Sequence, residues 1–223
     1  MPHPAPESAS ERRAGFVAGA VIVFAVFAVY ANSLHGPFVY DDIPAITDNA
    51  TLGAGWRLDR VLVPPANTTA SGRPLLNLSL ALNHAVSGLD VWSYHLLNVI
   101  IHALAALVLF GVLRRLFAAT RTIGTTSGTP AASGWDRPTV LAFATALWWA
   151  VHPLLTEGVN YVVQRAESLM SLFLLLTLHA FLRGTEAERR GERAGRWFGA
   201  ALASCILGMA TKENMAAVPV LVF

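Results

Sequence analysis

The chain has 223 residues, of which 54% are hydrophobic and only 13% charged, with a mean hydropathy of +0.50. Soluble domains carry about 25% charged residues, so the composition excludes that class and points to a membrane protein. A formal net charge of +2 supplies no basic footprint for nucleic acid, and the lone cysteine, Cys205, excludes an internal disulfide.

Residues 1–13 read as a polar cytoplasmic tail. The apolar run 15–34 exceeds the ~7–15-residue core of a signal peptide and reads as an uncleaved first span. Residues 35–93 form a first extracytoplasmic loop, rich in charge yet carrying Trp56, Leu58, Val61 and Leu62. Loops this long are functional or disordered, and this composition is not a disordered one. Within it, Pro74 to His84 reads as a short helix at the membrane interface, with proline at its start and too few residues to span. Asn49, Asn67 and Asn77 match the N-glycosylation pattern, which matters only in a secretory compartment.

Further apolar runs follow at 94–117, 138–152, 166–183, 197–210 and 215–223. The last is an incomplete span, because Phe223 falls inside it; the chain is expected to be an N-terminal piece of a longer protein, with 14–223 a partial transmembrane module. The fold class is therefore all-α and polytopic, with a large first outer loop bearing short interfacial helices. Basic residues set the orientation. With the N-terminus inside, Arg57, Arg60, Arg73, Arg165 and Lys212 face outward, and the other eleven of the sixteen basic residues face inward. That choice gathers the polar span-end motifs on the extracytoplasmic side.

Asp41-Asp42 is the first of these motifs. It is either a catalytic carboxylate with a tuning or cation-holding neighbour, or a solvated turn after a span. Arg73, at the mouth of the interfacial helix, suits a phosphate by its planar fork, or snorkels to headgroups. His95, Asn98 and His102 lie on one helix face. His102 reads as an interhelical hydrogen-bonding residue, while His95 and Asn98 could line a site. His152 and Glu157 precede Arg165 in a dense polar turn. Glu157 and Arg165 are either an ion pair or a second site carboxylate and an anion contact. Lys212-Glu213 marks the end of the fifth run.

Taken in order, Tyr40-Asp41-Asp42, Arg73-Pro74-Leu75, Tyr94-His95-Leu96-Leu97-Asn98 with His102, His152-Pro153 with Thr156-Glu157, Gln164-Arg165-Ala166-Glu167 and Lys212-Glu213-Asn214 resemble one family. These are the polytopic GT-C glycosyltransferases, and among them the transmembrane-and-TPR-repeat O-mannosyltransferases and their bacterial relatives. The likeness runs from Gly15 onward. It implies an N-terminal GT-C module whose helical repeats lie downstream. It also implies inverting transfer of a sugar, mannose or a similar hexose, from a polyprenyl-phosphate donor to a protein or lipid hydroxyl. Transfer would take place on the extracytoplasmic face of a bacterial inner membrane, or the lumenal face of the endoplasmic reticulum in a eukaryote. Asp41 is then the base, Asp42 its neighbour and Glu157 a further site carboxylate. Arg73 and Arg165 contact the donor phosphate, and His95, Asn98, His152, Lys212 and Glu213 support the site. A divalent metal is required in some members of the fold; here Asp42 and Glu157 would hold it. Other readings are a GT-C enzyme acting on cell-envelope lipids or glycans, a non-catalytic fragment, or a transporter. A transporter calls for mid-membrane charges, whereas these lie at span ends.

Overall fold

A computed structural model describes residues 8–53, 57–66, 68–121 and 134–219. Trp56, Asn67, the glycine- and threonine-rich stretch after Arg121 and the end of the sixth apolar run lie outside the described residues.

Helix α1, Ala9–Tyr30, starts earlier than its apolar run. Ser8 and Glu11 form a capping box: Ser8 Oγ accepts from the Glu11 N–H at 3.2 Å and Glu11 Oε2 from the Ser8 N–H at 2.7 Å. Arg12 and Arg13 are thus helical rather than part of a free tail. At ~1.5 Å per residue the helix is long enough for the ~30 Å hydrocarbon layer. Ala14, Ala18, Ile22, Val26 and Tyr30 recur every fourth position and are buried, while Phe16 and Phe24 on other faces are exposed. A 3₁₀ turn, Ala31–His35, leads out to Gly36-Pro37.

The long loop is ordered around its own core of Ile46, Leu52, Val61, Ala70, Leu76 and Leu80, packed on Tyr94 and Val162. A wide turn at Ile43–Thr47, a single turn α2 at Leu58–Val61, and α3 at Pro74–Ser87 supply these residues. Helix α3 has proline in its first turn and ends at Gly88, whose φ of +60° favours glycine. Asn77 cross-links the loop: its Nδ2 donates to the Val61 carbonyl and to Thr51 Oγ1, and its Oδ1 accepts from Asn49 Nδ2 at 2.9 Å. Asn49 and Asn77 are both buried. In the folded chain their amides are structural acceptors and donors, not open glycosylation sites.

Helix α4, Trp92–Arg121, crosses the whole bundle. Helix α5, Arg137–Ala150, stops where Pro153 forces His152 into extended backbone (φ −69°, ψ 131°). The chain bends by 52° into the segment that ends in α6, Thr156–Asn160. Helices α7, Arg165–Arg189, and α8, Gly195–Met209, follow. Buried Ala142, Ala146 and Ala150 of α5 meet Ala103 and Ala106 of α4, small residues that let the backbones approach.

Three segments, Ala9–His35, Trp92–Thr120 and Val162–Arg189, are long and apolar enough to cross a membrane, and the bent pair is a fourth candidate. No strand occurs among the described residues. The fold is all-α and that of a polytopic membrane protein. The fifth run departs from expectation: α8 has 15 residues, short of the ~17 a span requires. It ends because Lys212 is extended (φ −157°, ψ 138°), and the beginning of the sixth run is only a 3₁₀ turn, Glu213–Ala217.

Helix α7 packs on α8 and on α4. Gly184 of α7 lies under the Phe198 ring, where a Cβ would come within 2.7 Å of a ring carbon. Gly184→Ala is therefore expected to lower stability by about 1–3 kcal/mol, read as a drop in the unfolding temperature of the protein purified in detergent.

Candidate active site at the carboxylate end of the bundle

The end of α1, the start of α4, the end of α5, the start of α7 and the end of α8 meet at one end of the molecule. At the other end Arg114 Nε donates to Thr139 Oγ1 at 3.0 Å and Arg115 Nη1 to Glu186 Oε2 at 2.7 Å. The expected site residues lie at the first end, in two groups.

The first group centres on the acidic pair, whose members differ sharply. Asp41 is exposed and Asp42 is 1% exposed. Both Asp42 oxygens accept backbone N–H groups: Oδ1 from Val163 at 2.8 Å and Oδ2 from Val39 at 3.2 Å. Burial pushes its carboxyl above the ordinary range, opposed by those N–H groups and by the nearby His95. Asp42 staples the first loop to the segment before α7. The turn that leads into the two aspartates carries Tyr40 at φ +46°, a costly conformation for a residue with a side chain. It directs Asp41 outward, where the Asp41 N–H donates to the Tyr161 hydroxyl at 2.9 Å.

His95 Nε2 is 2.9 Å from the Gly36 carbonyl, fastening α4 to the loop entrance. His102 Nε2 is 2.8 Å from the Ala150 carbonyl, the interhelical role expected of it. Asn98 is fully buried; its Nδ2 donates to the Val159 carbonyl at 3.1 Å and more weakly to those of Tyr161 and Val162, and its Oδ1 accepts from Arg165 Nε at 2.6 Å.

Arg165 departs most from expectation. As a donor-phosphate contact it should reach toward solvent, yet it is 0% exposed. Its Nη1 donates to Asn83 Oδ1 at 2.7 Å and to the Ser79 carbonyl at 3.1 Å, and its Nη2 to the Tyr94 carbonyl at 2.8 Å. All three nitrogens are engaged within the protein, so the guanidinium is a structural hub and offers no open face to a phosphate. Glu157 is exposed and its partner is Gln164, at 3.4 Å, not Arg165. His152 accepts from the Leu154 N–H and helps shape the bend. Asp42, turned inward onto backbone N–H groups, and Glu157, exposed on α6, do not form a cation cradle. No group of three metal-ligating side chains comes together among the described residues.

The second group centres on Arg73. Its Nη2 donates to Glu213 Oε1 at 3.1 Å and Oε2 at 3.3 Å, and its Nη1 to the Thr69 carbonyl at 3.0 Å. The Leu75 N–H donates to the Ala210 carbonyl, docking α3 on the end of α8. Lys212 pairs with Glu167 on α7. Lys212 is extended and Glu213 opens the 3₁₀ turn, and their side chains part: Lys212 holds α7 while Glu213 holds Arg73. Glu213's own backbone N–H, then Arg73, hold its carboxyl below the ordinary range. No hydrogen bond or ion pair joins Arg73 to either aspartate among the described residues.

Tyr161 and Glu167 have no assigned role in the reading from sequence. Glu167 had a charge signal but no visible partner; Tyr161 had none, since its contact bridges 120 positions.

The chain is 33% identical over 179 residues to Protein O-mannosyl-transferase TMTC2 of Mus musculus, covering 77% of this chain and 19% of that protein. Protein O-mannosyl-transferase TMTC3 of Mus musculus is 35% identical over 75% of this chain and 17% of its own length. The Drosophila melanogaster Tmtc3 is 31% identical over 86% of this chain and 22% of its own. The chain is TMTC-like. It spans about a fifth of the length of these relatives. No family model and no solved structure matches it.

The TMTC-like chain depends on Arg165 for assembly. Arg165→Lys removes the fork that reaches α3 and α4 together. With charge-assisted hydrogen bonds each worth about 1.5–3 kcal/mol, it is expected to lose at least about 3 kcal/mol, seen as a lower unfolding temperature and aggregation on size exclusion. Asp42 carries a pH signature. Its folded pKa is raised, so its contribution to stability is greatest below the ordinary carboxylate value of about 3.9 and is lost as pH climbs through the folded value. Unfolding temperatures should therefore fall with rising pH in that window for the native chain, and the fall should be smaller in Asp42→Asn.

Proposed function

We propose that the protein to which this chain belongs is a glycosyltransferase that moves a sugar, mannose or a similar hexose, from a polyprenyl-phosphate donor to a Ser or Thr hydroxyl of a protein. Transfer inverts the anomeric centre and takes place on the extracytoplasmic side. The observation that carries this reading is the split fate of the acidic pair: one carboxylate is locked into the fold, and the other is held outward at the end of the spans. The printed names of the relatives, protein O-mannosyl-transferases, support the acceptor class.

The donor's lipid tail stays in the bilayer while its phosphate sits at the span ends, so the chemistry belongs where Asp41 and Arg73 lie. Asp41 takes the proton of the acceptor hydroxyl as its oxygen attacks the anomeric carbon. The bond from that carbon to the phosphate oxygen breaks on the opposite face, and the polyprenyl phosphate leaves with the electron pair. Arg73 stabilises the leaving phosphate. Glu213 carboxylate oxygens lie on Arg73 Nη2, and the donor phosphate takes their place there. Glu213 is 70% exposed and can swing aside without leaving a buried charge. Arg165 and Asp42 have structural roles in this scheme, and Glu157 and His152 shape the neighbouring turn.

Transfer of labelled hexose from polyprenyl-phosphate hexose to a Ser/Thr peptide tests the reading in the full-length protein. Asp41→Asn is expected to lower kcat by about 10²–10⁴-fold with unchanged membrane insertion, and Arg73→Lys to raise the donor KM by roughly tenfold, the forked contact being lost. Full activity in Asp41→Asn rules out the assignment of the base.

A further inference from the structure

We infer that the Tyr161 hydroxyl is a positioning group for the proposed transfer, one that fixes the Asp41 backbone from which the carboxylate projects. This assignment rests on the reading of Asp41 as the base. Tyr161 is attached to Asp41 from the far side of the chain's topology: its Oη accepts the Asp41 N–H at 2.9 Å. A phenol oxygen that accepts one hydrogen bond still has a proton to give. Burial, and then the nearby Asp41 and Asp42 charges, keep that proton on Tyr161, so the phenol stays neutral and its oxygen remains the acceptor of the Asp41 N–H. The hydroxyl thus holds the Asp41 backbone at the point from which its carboxylate projects. Fixing that amide restricts the backbone movement that carries the carboxylate toward or away from an incoming hydroxyl.

The clamp is itself anchored. The Tyr161 N–H donates to the Glu157 carbonyl at 3.1 Å. The carbonyls of Val159, Tyr161 and Val162 converge on the Asn98 amide, which Arg165 holds from behind. Two residues on, the Val163 N–H takes Asp42 Oδ1. Residues 161–163 therefore grip both aspartates, one through a side chain and one through the backbone. The strained turn at Tyr40 presents Asp41 to this grip, and strain of this kind persists only where surrounding contacts over-determine it. The Tyr161 ring packs on the core of the first loop. Phenylalanine can do that packing but lacks the hydroxyl, so the substitution isolates the clamp from the fold.

The test compares the native protein, Tyr161→Phe, Asp41→Asn and the double variant, each full-length in membranes, with polyprenyl-phosphate hexose and a Ser/Thr peptide. Tyr161→Phe should keep the native unfolding temperature and the KM for both substrates, and lose about 10²-fold in kcat, the scale of a misplaced catalytic group. It should add nothing further in the Asp41→Asn background. Native kcat in Tyr161→Phe, or a loss that is undiminished in the Asp41→Asn background, overturns the inference while leaving the transferase reading intact. If the native protein transfers no sugar, the transferase reading fails first. Hydrogen exchange at the Asp41 amide then decides the clamp: faster exchange in Tyr161→Phe supports it, and an unchanged rate refutes it.

Discussion

The structure depends on one buried cation. Taking a guanidinium out of water costs several kcal/mol, and Arg165 recovers it only because its planar fork meets acceptors on two other helices at once. Asn83 and the Ser79 carbonyl come from α3, the Tyr94 carbonyl and Asn98 from α4. This sets where the short interfacial helix rests on the first turns of the two longest helices. A lysine, with a point charge, has no equivalent geometry.

The consequences reach the site through Asn98. Its amide has one face for Arg165 and the other for the carbonyls of Val159, Tyr161 and Val162. Irregular backbone before α7 is thereby held in one conformation. That conformation offers the Val163 N–H to Asp42 and the Tyr161 hydroxyl to Asp41. Two chemically identical neighbours are given opposite environments: one carboxylate becomes a buried acceptor, the other stays in solvent. Arg73 is held at the step from extended Lys212 into the 3₁₀ turn, where Lys212 and Glu213 tie separate helices.

Much of this was legible in the residues. Apolar length located the spans of α1, α4 and α7, and Pro74 the start of α3. The interhelical role of His102 followed from its depth. Arg165 was misread because a charged residue at the head of a span looks the same whether it faces headgroups or a ring of carbonyls; the acceptors that decide it are 67 to 86 positions away. Asn49 and Asn77 fit a surface pattern while being buried, because their partners in the loop carry no sequence signature. The eighth helix falls short of a span because an extended Lys212 ends it, a backbone choice that hydropathy does not register.

By itself, then, the amino-acid sequence determined that this chain is all-α, that it enters a membrane, and that its polar groups collect at span ends, because apolar periodicity and proline act over a few residues. Only the tertiary structure decided which of those groups face outward. Burial and hydrogen-bond satisfaction are properties of partners brought from distant helices. They withdrew Arg165 and Asp42 into the fold and left Asp41, its N–H held by Tyr161, as the exposed carboxylate of the pair.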